Sequence, residues 1–366
     1  MLFQPAKPKD KIRFVLSFSF VWVGTEYMRS VFWPQFPWNL TAHLFCFEDF
    51  IVPSLMIQIV SWGGVYVLSL IWSLFLASFY SASTMLKSMT ILLLVGGMGY
   101  GGWVLFAPSS KTQQKLRTFR VMVVQPNISQ KEKVASEMAE DILKKTWDFT
   151  LKAGGGKSGV GLIVWPETAL LHMITPTHPI LKKIQKALPA KTFLIFGADR
   201  LSSIASKRPV WHNSLFVLSK TEILATYDKT RLLPFGEYMP LRKFFPHFLN
   251  RIVPGVDCTP GPSVLPLKIK GFPSFLPRIC SESLYKTPKT SAQWIVHILN
   301  DGWFPLPFLW QHLAADRLRT VESGLPLLRV SNTGISVFID VLGRIKHQLP
   351  IQRQAAQEVE VSASED

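Results

Sequence analysis

The chain has 366 residues, of which 48% are hydrophobic, and a formal net charge of +16. Its three cysteines are an odd and sparse set, which argues against a disulfide framework. The basic residues are not interleaved with aromatic residues as they are in nucleic-acid-binding surfaces, so the positive charge indicates anionic lipid as the partner.

The N-terminal third of the chain is far more apolar than the remainder. Only six of the 40 Lys and Arg residues and four of the 24 acidic residues lie within residues 1–106. A helix needs about 20 apolar residues to cross a bilayer. We therefore predict a transmembrane region over residues 1–110 with about three spans, which lie near 12–33, 58–80 and 89–106.

An aromatic segment, residues 34–50, joins the first two predicted spans. Its prolines forbid a regular helix, and its aromatic side chains suit the headgroup layer of a membrane. Two interpretations stay open. The segment is either a lipid-facing arm beside an active site, in which Trp38 is a candidate substrate contact, or an interfacial loop that its aromatic side chains anchor.

The basic residues before the first span predict that residue 1 lies in the cytoplasm. Three spans then place residue 107 and all that follows on the opposite side of the membrane. The basic residues just beyond the last span oppose this orientation, but a large domain can cross the membrane despite such charges.

Short apolar runs alternate with helical stretches from residue 118 onward, which is typical of an α/β domain. We predict helices at 131–152, 178–187 and 308–323, and strands at 119–125, 161–165, 192–198, 214–219, 222–228, 275–280, 294–299, 327–331 and 335–340. The domain is expected to cover 118–350, and the polar residues 351–366 are expected to be disordered.

Three chemically competent residues follow predicted strands: Glu167, Lys229 and Cys280. Polar groups at strand ends face the rim of a sheet, where α/β enzymes collect their active sites. Taken singly, each has a more common structural explanation, because such residues often cap a strand, remain in solvent or pack as small apolar groups. Their combination carries more weight than any one of them.

The motifs that contain these residues resemble those of the nitrilase superfamily. They occur in the family's order: VVQPNIS (123–129), VWPET (164–168), YDKTRLLPFGEYMP (227–240), ICSES (279–283) and ILNDGWF (298–304). A narrower resemblance to the apolipoprotein N-acyltransferase family rests on VGTEYMR (23–29), FPWN (36–39) and the stretch 310–336. The resemblance covers roughly residues 15–350 and implies an α-β-β-α sandwich domain of α/β class after an N-terminal helical transmembrane region.

The resemblance also implies roles for individual residues. Glu167 would be the general base, Lys229 the oxyanion stabiliser and Cys280 the nucleophile, with Glu237 supporting the lysine. Glu282 falls at a family position near the nucleophile and is a candidate substrate contact. This chemistry agrees with the residue types, because a thiol attacks a carbonyl well only as a thiolate and so needs a base.

The family implies an acyl transfer that needs no cofactor. The donor would be a membrane phospholipid, the acceptor the α-amino group of a diacylated N-terminal cysteine in an apolipoprotein, and the location the bacterial inner membrane with the catalytic domain in the periplasm. No His or Cys spacing suggests a metal site, and no Gly-rich loop suggests a nucleotide.

The sequence departs from the family pattern in four respects. The first transmembrane helices and the closing one are expected to be missing, Ser281 replaces an aromatic residue, and Val134 replaces a tryptophan. Two rival hypotheses therefore stay open beside the acyltransferase: a membrane-tethered amidase that releases the acyl group to water, and an inactive remnant that keeps the fold for interactions.

Overall fold

The structure is a computed structural model, and it describes residues 8–32, 35–46, 51–80, 83–106, 116–134, 138–155, 161–203, 210–242, 244–245 and 257–365. The chain divides into two compact units. Unit 1 comprises residues 1–113, 314–324 and 341–344, and unit 2 comprises residues 114–313, 325–340 and 345–366.

Unit 1 is built from apolar helices. They are α1 (Pro8–Val31), α2 (Ile51–Met56), α3 (Val60–Ser78) and α4 (Thr84–Phe106), with short 3₁₀-helices at Thr41–Cys46 and Ile57–Ile59. The helical run over residues 51–78 and α4 are long and apolar enough to cross a membrane. Helix α1, the predicted first span, does not meet this criterion in the described part of the chain. Charged residues at both of its ends, among them Asp10 and Arg29, account for the difference.

Unit 2 contains two β-sheets. The larger sheet has the order β12-β1-β2-β4-β5-β6, with β3 paired to β4. Its strands are β1 (Leu116–Gln125), β2 (Leu162–Val164), β3 (Leu170–Ile174), β4 (Phe193–Ser203), β5 (Val210–Leu218), β6 (Ile223–Asp228) and β12 (Ala355–Ser364). The smaller sheet has the order β11-β10-β9-β8-β7 and consists of β7 (Phe275–Ile279), β8 (Trp294–Leu299), β9 (Leu327–Ser331), β10 (Val337–Ile339) and β11 (Ile345–Gln348).

The helices of unit 2 are α5 (Gln130–Val134), α6 (Ala139–Lys152), α7 (Pro179–Ala187) and the first part of α8 (Leu306–Ser323). The two sheets face each other across a core that joins residues such as Val164 and Val296. The outer face of the larger sheet packs on α6 and α7, and the outer face of the smaller sheet packs on α8. The order helix, sheet, sheet, helix confirms the predicted α-β-β-α sandwich, which buries one face of every element.

The expectation that residues 351–366 are disordered is wrong for residues 351–365, which the structure describes. Residues 355–364 form β12, which pairs antiparallel with the whole of β1. From Val359 onward every second side chain of β12 is apolar and buried, namely Val359, Val361 and Ala363. This period of two is the signature of a strand with one buried face, and the intervening polar residues concealed it in the overall composition.

Candidate active site

The four predicted catalytic residues line one cavity of about 600 Å³ in unit 2. Glu167 follows β2, Lys229 follows β6, Cys280 follows β7, and Glu237 lies on the loop beyond Lys229. Strand ends bring these residues together although they are far apart in sequence. The cavity wall also contains Gln130, Lys133, Asp199, Asn213, Asn300 and Trp303, among other residues.

Glu167 is held by two hydrogen bonds to its carboxylate. Its Oε1 accepts from the side-chain nitrogen of Asn213 at 2.7 Å, and its Oε2 accepts from the backbone N–H of Asn300 at 2.7 Å. Position 197 on β4, which lies against Glu167, requires glycine, because a Cβ there would lie 2.6 Å from the Cα of Glu167. Burial raises the pKa of Glu167, Lys229 opposes that shift, and Glu237 adds to it. A raised pKa suits a carboxylate that must accept a proton near neutral pH.

Lys229 is buried and paired with a carboxylate. Its Nζ donates to Oε1 of Glu237 at 2.8 Å. Glu237 is fixed in turn, because its Oε2 accepts from the backbone N–H of Leu233 at 2.7 Å. Burial alone lowers the pKa of Lys229, but the negative charge of Glu237 contributes most to outweighing burial, and the pKa is raised. The lysine therefore presents a positive charge to the cavity at all physiological pH values.

Cys280 opens a short 3₁₀-helix, Cys280–Leu284, directly after β7. Its φ angle of +49° is a conformation that non-glycine residues rarely adopt and that commonly marks functional positions. Burial raises the pKa of the Cys280 thiol well above its usual range, the charge of Glu167 adds to the shift, and Lys229 opposes it. The resting thiol is therefore protonated, and its reaction with a carbonyl requires transfer of that proton to a base.

Three cavity residues were missed by reasoning from the sequence. Asn213 on β5 donates through Nδ2 to Glu167 and, at 3.0 Å, to Oε1 of Glu237. Lys133 donates to the backbone oxygen of Thr168 at 2.9 Å, and burial lowers the pKa of Lys133 to about 7. Burial also raises the pKa of Asp199 to about 6. A charged residue at the end of the apolar run TFLIFGA was a usable signal for Asp199, whereas Asn213 offered none.

Glu282 is not among the residues that line the cavity, and its contact with substrate stays a prediction. Its side chain is fully buried. Its Oε1 accepts from Tyr227 Oη, from the backbone and side chain of Thr230 and from the Arg231 N–H, while its Oε2 accepts from the Ile279 N–H. Glu282 therefore ties the strand before the nucleophile to the loop after Lys229.

The other residues that the sequence analysis singled out are not among those that line this cavity, or they lie outside the described set. Trp38 belongs to unit 1, where it stacks on Phe36 at a ring distance of 6.0 Å, and its contact with substrate stays a prediction. Residues 34 and 47–50 of the aromatic segment and the side chain of Val134 lie outside the described residues. Ser281 is buried. Within the described ranges no group of three or more His, Cys, Asp and Glu side chains could hold a metal ion.

Residues 120–362 match the family model described as carbon-nitrogen hydrolase, and residues 2–78 match that of the apolipoprotein N-acyltransferase N-terminal domain. The apolipoprotein N-acyltransferase of Brucella melitensis is 31% identical over 363 residues, which cover 93% of this chain and 66% of that protein. The enzyme of that name from Agrobacterium fabrum is 32% identical over 343 residues, which cover 88% of this chain and 62% of that protein. A carbon-nitrogen hydrolase structure from Helicobacter pylori aligns with a TM-score of 0.47 at 16% identity and covers 66% of this chain and 88% of that one.

The chain thus spans slightly less than two thirds of the length of these relatives. The first family model covers most of unit 2, including Glu167, Lys229, Glu237 and Cys280. The second covers the helices at the start of unit 1. The chain therefore belongs to the carbon-nitrogen hydrolase family, and the relatives it resembles along most of its length are apolipoprotein N-acyltransferases.

Proposed function

We propose that the chain is an N-acyltransferase of lipoprotein maturation, which moves a fatty acyl group from a membrane phospholipid to the N-terminal amine of a diacylated apolipoprotein through a thioester on Cys280. The observation that carries the proposal is the meeting of Cys280, Glu167 and the Lys229–Glu237 ion pair in one cavity. The similarity to apolipoprotein N-acyltransferases supports the choice of donor and acceptor.

In the first half-reaction the thiol of Cys280 gives its proton to Glu167, and Sγ attacks the ester carbonyl of the donor. The negative charge that develops on the carbonyl oxygen is stabilised by Lys229, together with the backbone N–H that follows Cys280. Collapse of the tetrahedral intermediate breaks the ester C–O bond. Glu167 then protonates the leaving alkoxide, which departs as the lysophospholipid, and the acyl group stays on sulfur.

In the second half-reaction the amine of the acceptor attacks the thioester. A new C–N bond forms, the C–S bond breaks, and the amine loses a proton to Glu167, which returns it to the Cys280 thiolate. A thioester suits this sequence because amines attack it readily. The same intermediate attacked by water would give a hydrolase, which is the rival function for this site.

The membrane setting of the proposal rests on the two apolar helical runs, residues 51–78 and α4. We propose that they anchor the chain in the bacterial inner membrane with unit 2 in the periplasm. This location brings the cavity to the compartment in which diacylated apolipoproteins would meet a phospholipid donor.

The test is intact-mass spectrometry of the full chain in lipid nanodiscs that contain phospholipid, beside the Cys280→Ala variant. We expect one added acyl mass that hydroxylamine removes and that the variant lacks. Addition of a diacylated lipopeptide should discharge the adduct and yield an N-acylated product. Discharge without that product would favour the hydrolase, and a folded chain without any adduct would contradict both functions.

A further inference from the structure

His297 lies against the backbone of the nucleophile. Its Nε2 is 2.8 Å from the carbonyl oxygen of Cys280. Because a carbonyl oxygen can only accept a hydrogen bond, Nε2 must carry the proton and donate it. His297 lies on β8 and is fully buried, so solvent does not compete for this bond.

This hydrogen bond fixes the direction of the next backbone N–H. The peptide bond is planar and trans, so the carbonyl of Cys280 and the N–H of Ser281 point in opposite directions. With the carbonyl held toward His297, the Ser281 N–H must point away from it. Rotation of this one peptide plane would exchange the two groups and would turn a hydrogen-bond donor into an acceptor.

The local backbone does not hold this orientation by itself. Cys280 has a φ angle of +49°, a strained conformation that persists at a non-glycine residue only where its surroundings impose it. Other buried contacts hold the same turn at neighbouring positions. Glu282 accepts from Ile279, and Ser283 Oγ lies 3.0 Å from Nε2 of His312. Of these three contacts, that of His297 is the one made to the Cys280–Ser281 peptide itself.

We propose that His297 is a positioning residue that orients the Cys280–Ser281 peptide, so that the Ser281 N–H donates to the oxyanion of each tetrahedral intermediate. The inference rests on the proposed function, because it assigns a role within the acyl transfer of Cys280. His297 touches neither substrate nor Sγ in this role and acts through the peptide plane. Its loss should therefore slow those reactions of Cys280 that pass through an oxyanion.

The test compares two reactions of the same thiol in the full chain. Acylation by a p-nitrophenyl fatty ester passes through a tetrahedral oxyanion, whereas alkylation by iodoacetamide displaces iodide at a saturated carbon and forms none. The variants are His297→Leu, which removes the donor, and His297→Gln, whose amide nitrogen can replace Nε2. The matched control is His212→Leu, since His212 is also buried and its Nδ1 lies 2.8 Å from a backbone oxygen, that of Thr259, outside the nucleophile turn.

We expect His297→Leu to slow acylation about 10- to 100-fold, somewhat less than the loss of a whole oxyanion donor, and to leave the alkylation rate unchanged. His297→Gln should recover most of the acylation rate, and His212→Leu should not change the ratio of the two rates. Equal losses in acylation and alkylation, or no loss in either, would overturn the inference.

The experiment also separates the inference from the proposed function. An unmodified chain that is acylated by the activated ester but not by phospholipid would contradict the acyltransferase while leaving the role of His297 fully tested. An unmodified chain that iodoacetamide alkylates at Cys280 but that the activated ester does not acylate would overturn both.

Discussion

Lys229 and Glu237 form an ion pair with a separation of 2.8 Å, in which 1% of the lysine side chain and 16% of the glutamate side chain are exposed. The lysine lies at the end of a strand and the glutamate on the loop that follows. The glutamate therefore neutralises a charge that could not otherwise be buried at low cost. Since Glu237 carries this charge compensation, Glu167 remains available to act as a base.

Replacement of Glu237 by Gln should test this division of roles. Lys229 would then find its counter-charge in Glu167, whose carboxylate would be held ionised and become a poorer proton acceptor. We expect the rate of Cys280 acylation to fall by about 100-fold, near the lower end of what general-base catalysis contributes. The rate is measured by time-resolved intact mass.

The control for this change is Glu222→Gln, because Glu222 is an exposed acid in the turn between β5 and β6. The Glu222→Gln variant should be acylated at the same rate as the unmodified chain. An unchanged rate in Glu237→Gln would show that Glu237 does not serve the lysine in the proposed way.

The Asn213→Ala variant should change the pH dependence of acylation. The hydrogen bond from Asn213 lowers the pKa of Glu167, so its removal raises that pKa further. Glu167 must be deprotonated to act as the base, and a higher pKa means that a higher pH is needed. We expect the acid limb of the rate profile to move to higher pH, measured between about pH 5 and 8. A profile that falls without moving would assign Asn213 to structure alone.

The Asp199→Asn variant should raise thermal stability in a pH-dependent way. The folded chain holds a proton on Asp199 more tightly than the unfolded chain does, because burial raises its pKa from 3.8 to about 6. As pH rises through this window, the folded state must release a proton that the unfolded state has already lost, so stability falls. The Asp199→Asn variant avoids this loss of stability, because the asparagine side chain does not ionise.

We expect the Tm of Asp199→Asn to exceed that of the unmodified chain at pH 8 and to match it at pH 4. Differential scanning fluorimetry in detergent provides the measurement. A Tm gain of equal size at both pH values would show that the effect comes from packing and not from the charge.

The Glu282→Gln variant separates the clamp that the structure describes from a role in substrate binding. Five hydrogen bonds converge on this carboxylate. The amide of glutamine has a single acceptor oxygen, so it can accept only some of these bonds. Loss of charge-assisted bonds at a buried site should cost about 3 kcal/mol of unfolding free energy. We expect a lower Tm together with slower acylation by every ester. A normal Tm with an altered preference among esters would favour substrate contact instead.

The strand β12 provides the final prediction. Val361→Asp places a charge in the core between the sheets, and the cost of burying it should prevent unit 2 from folding. Gln357→Asp adds the same charge at an exposed position of the same strand and should be tolerated. The measurements are the yield of monodisperse protein and its Tm. A folded Val361→Asp chain would argue against β12 as part of the sheet.

Most of the α/β pattern and the placement of three of the four proposed catalytic residues at strand ends could be read from local sequence, whereas their roles came from the family resemblance. Short runs with strand character precede Glu167, Lys229 and Cys280, and the structure places a strand before each. The strands predicted at 214–219 and 222–228 likewise correspond to β5 and β6, which pair antiparallel. These features depend on periodicity and on residue type, which a single sequence displays directly.

The tertiary structure alone decided how the site is held. Asn213 donates to Glu167, which lies 46 residues away in sequence. The pairing of β4 with β5 sets Asn213 opposite Asp199. The backbone oxygen of Asn213 also accepts from the N–H of Lys229. Glu282 joins the nucleophile turn to the loop after Lys229, because the backbone N–H groups of Thr230 and Arg231 donate to its carboxylate.

The sequence by itself determined which elements form and which residue types stand at their ends, since local propensity and periodicity act within a few residues. Strand register, burial and the pairing of charges decided the rest, including the strand β12, the placement of Glu237 beside Lys229 and the bond from His297 to Cys280. These contacts depend on the folded arrangement of the chain, and a buried polar contact gains strength once the fold has excluded water from around it.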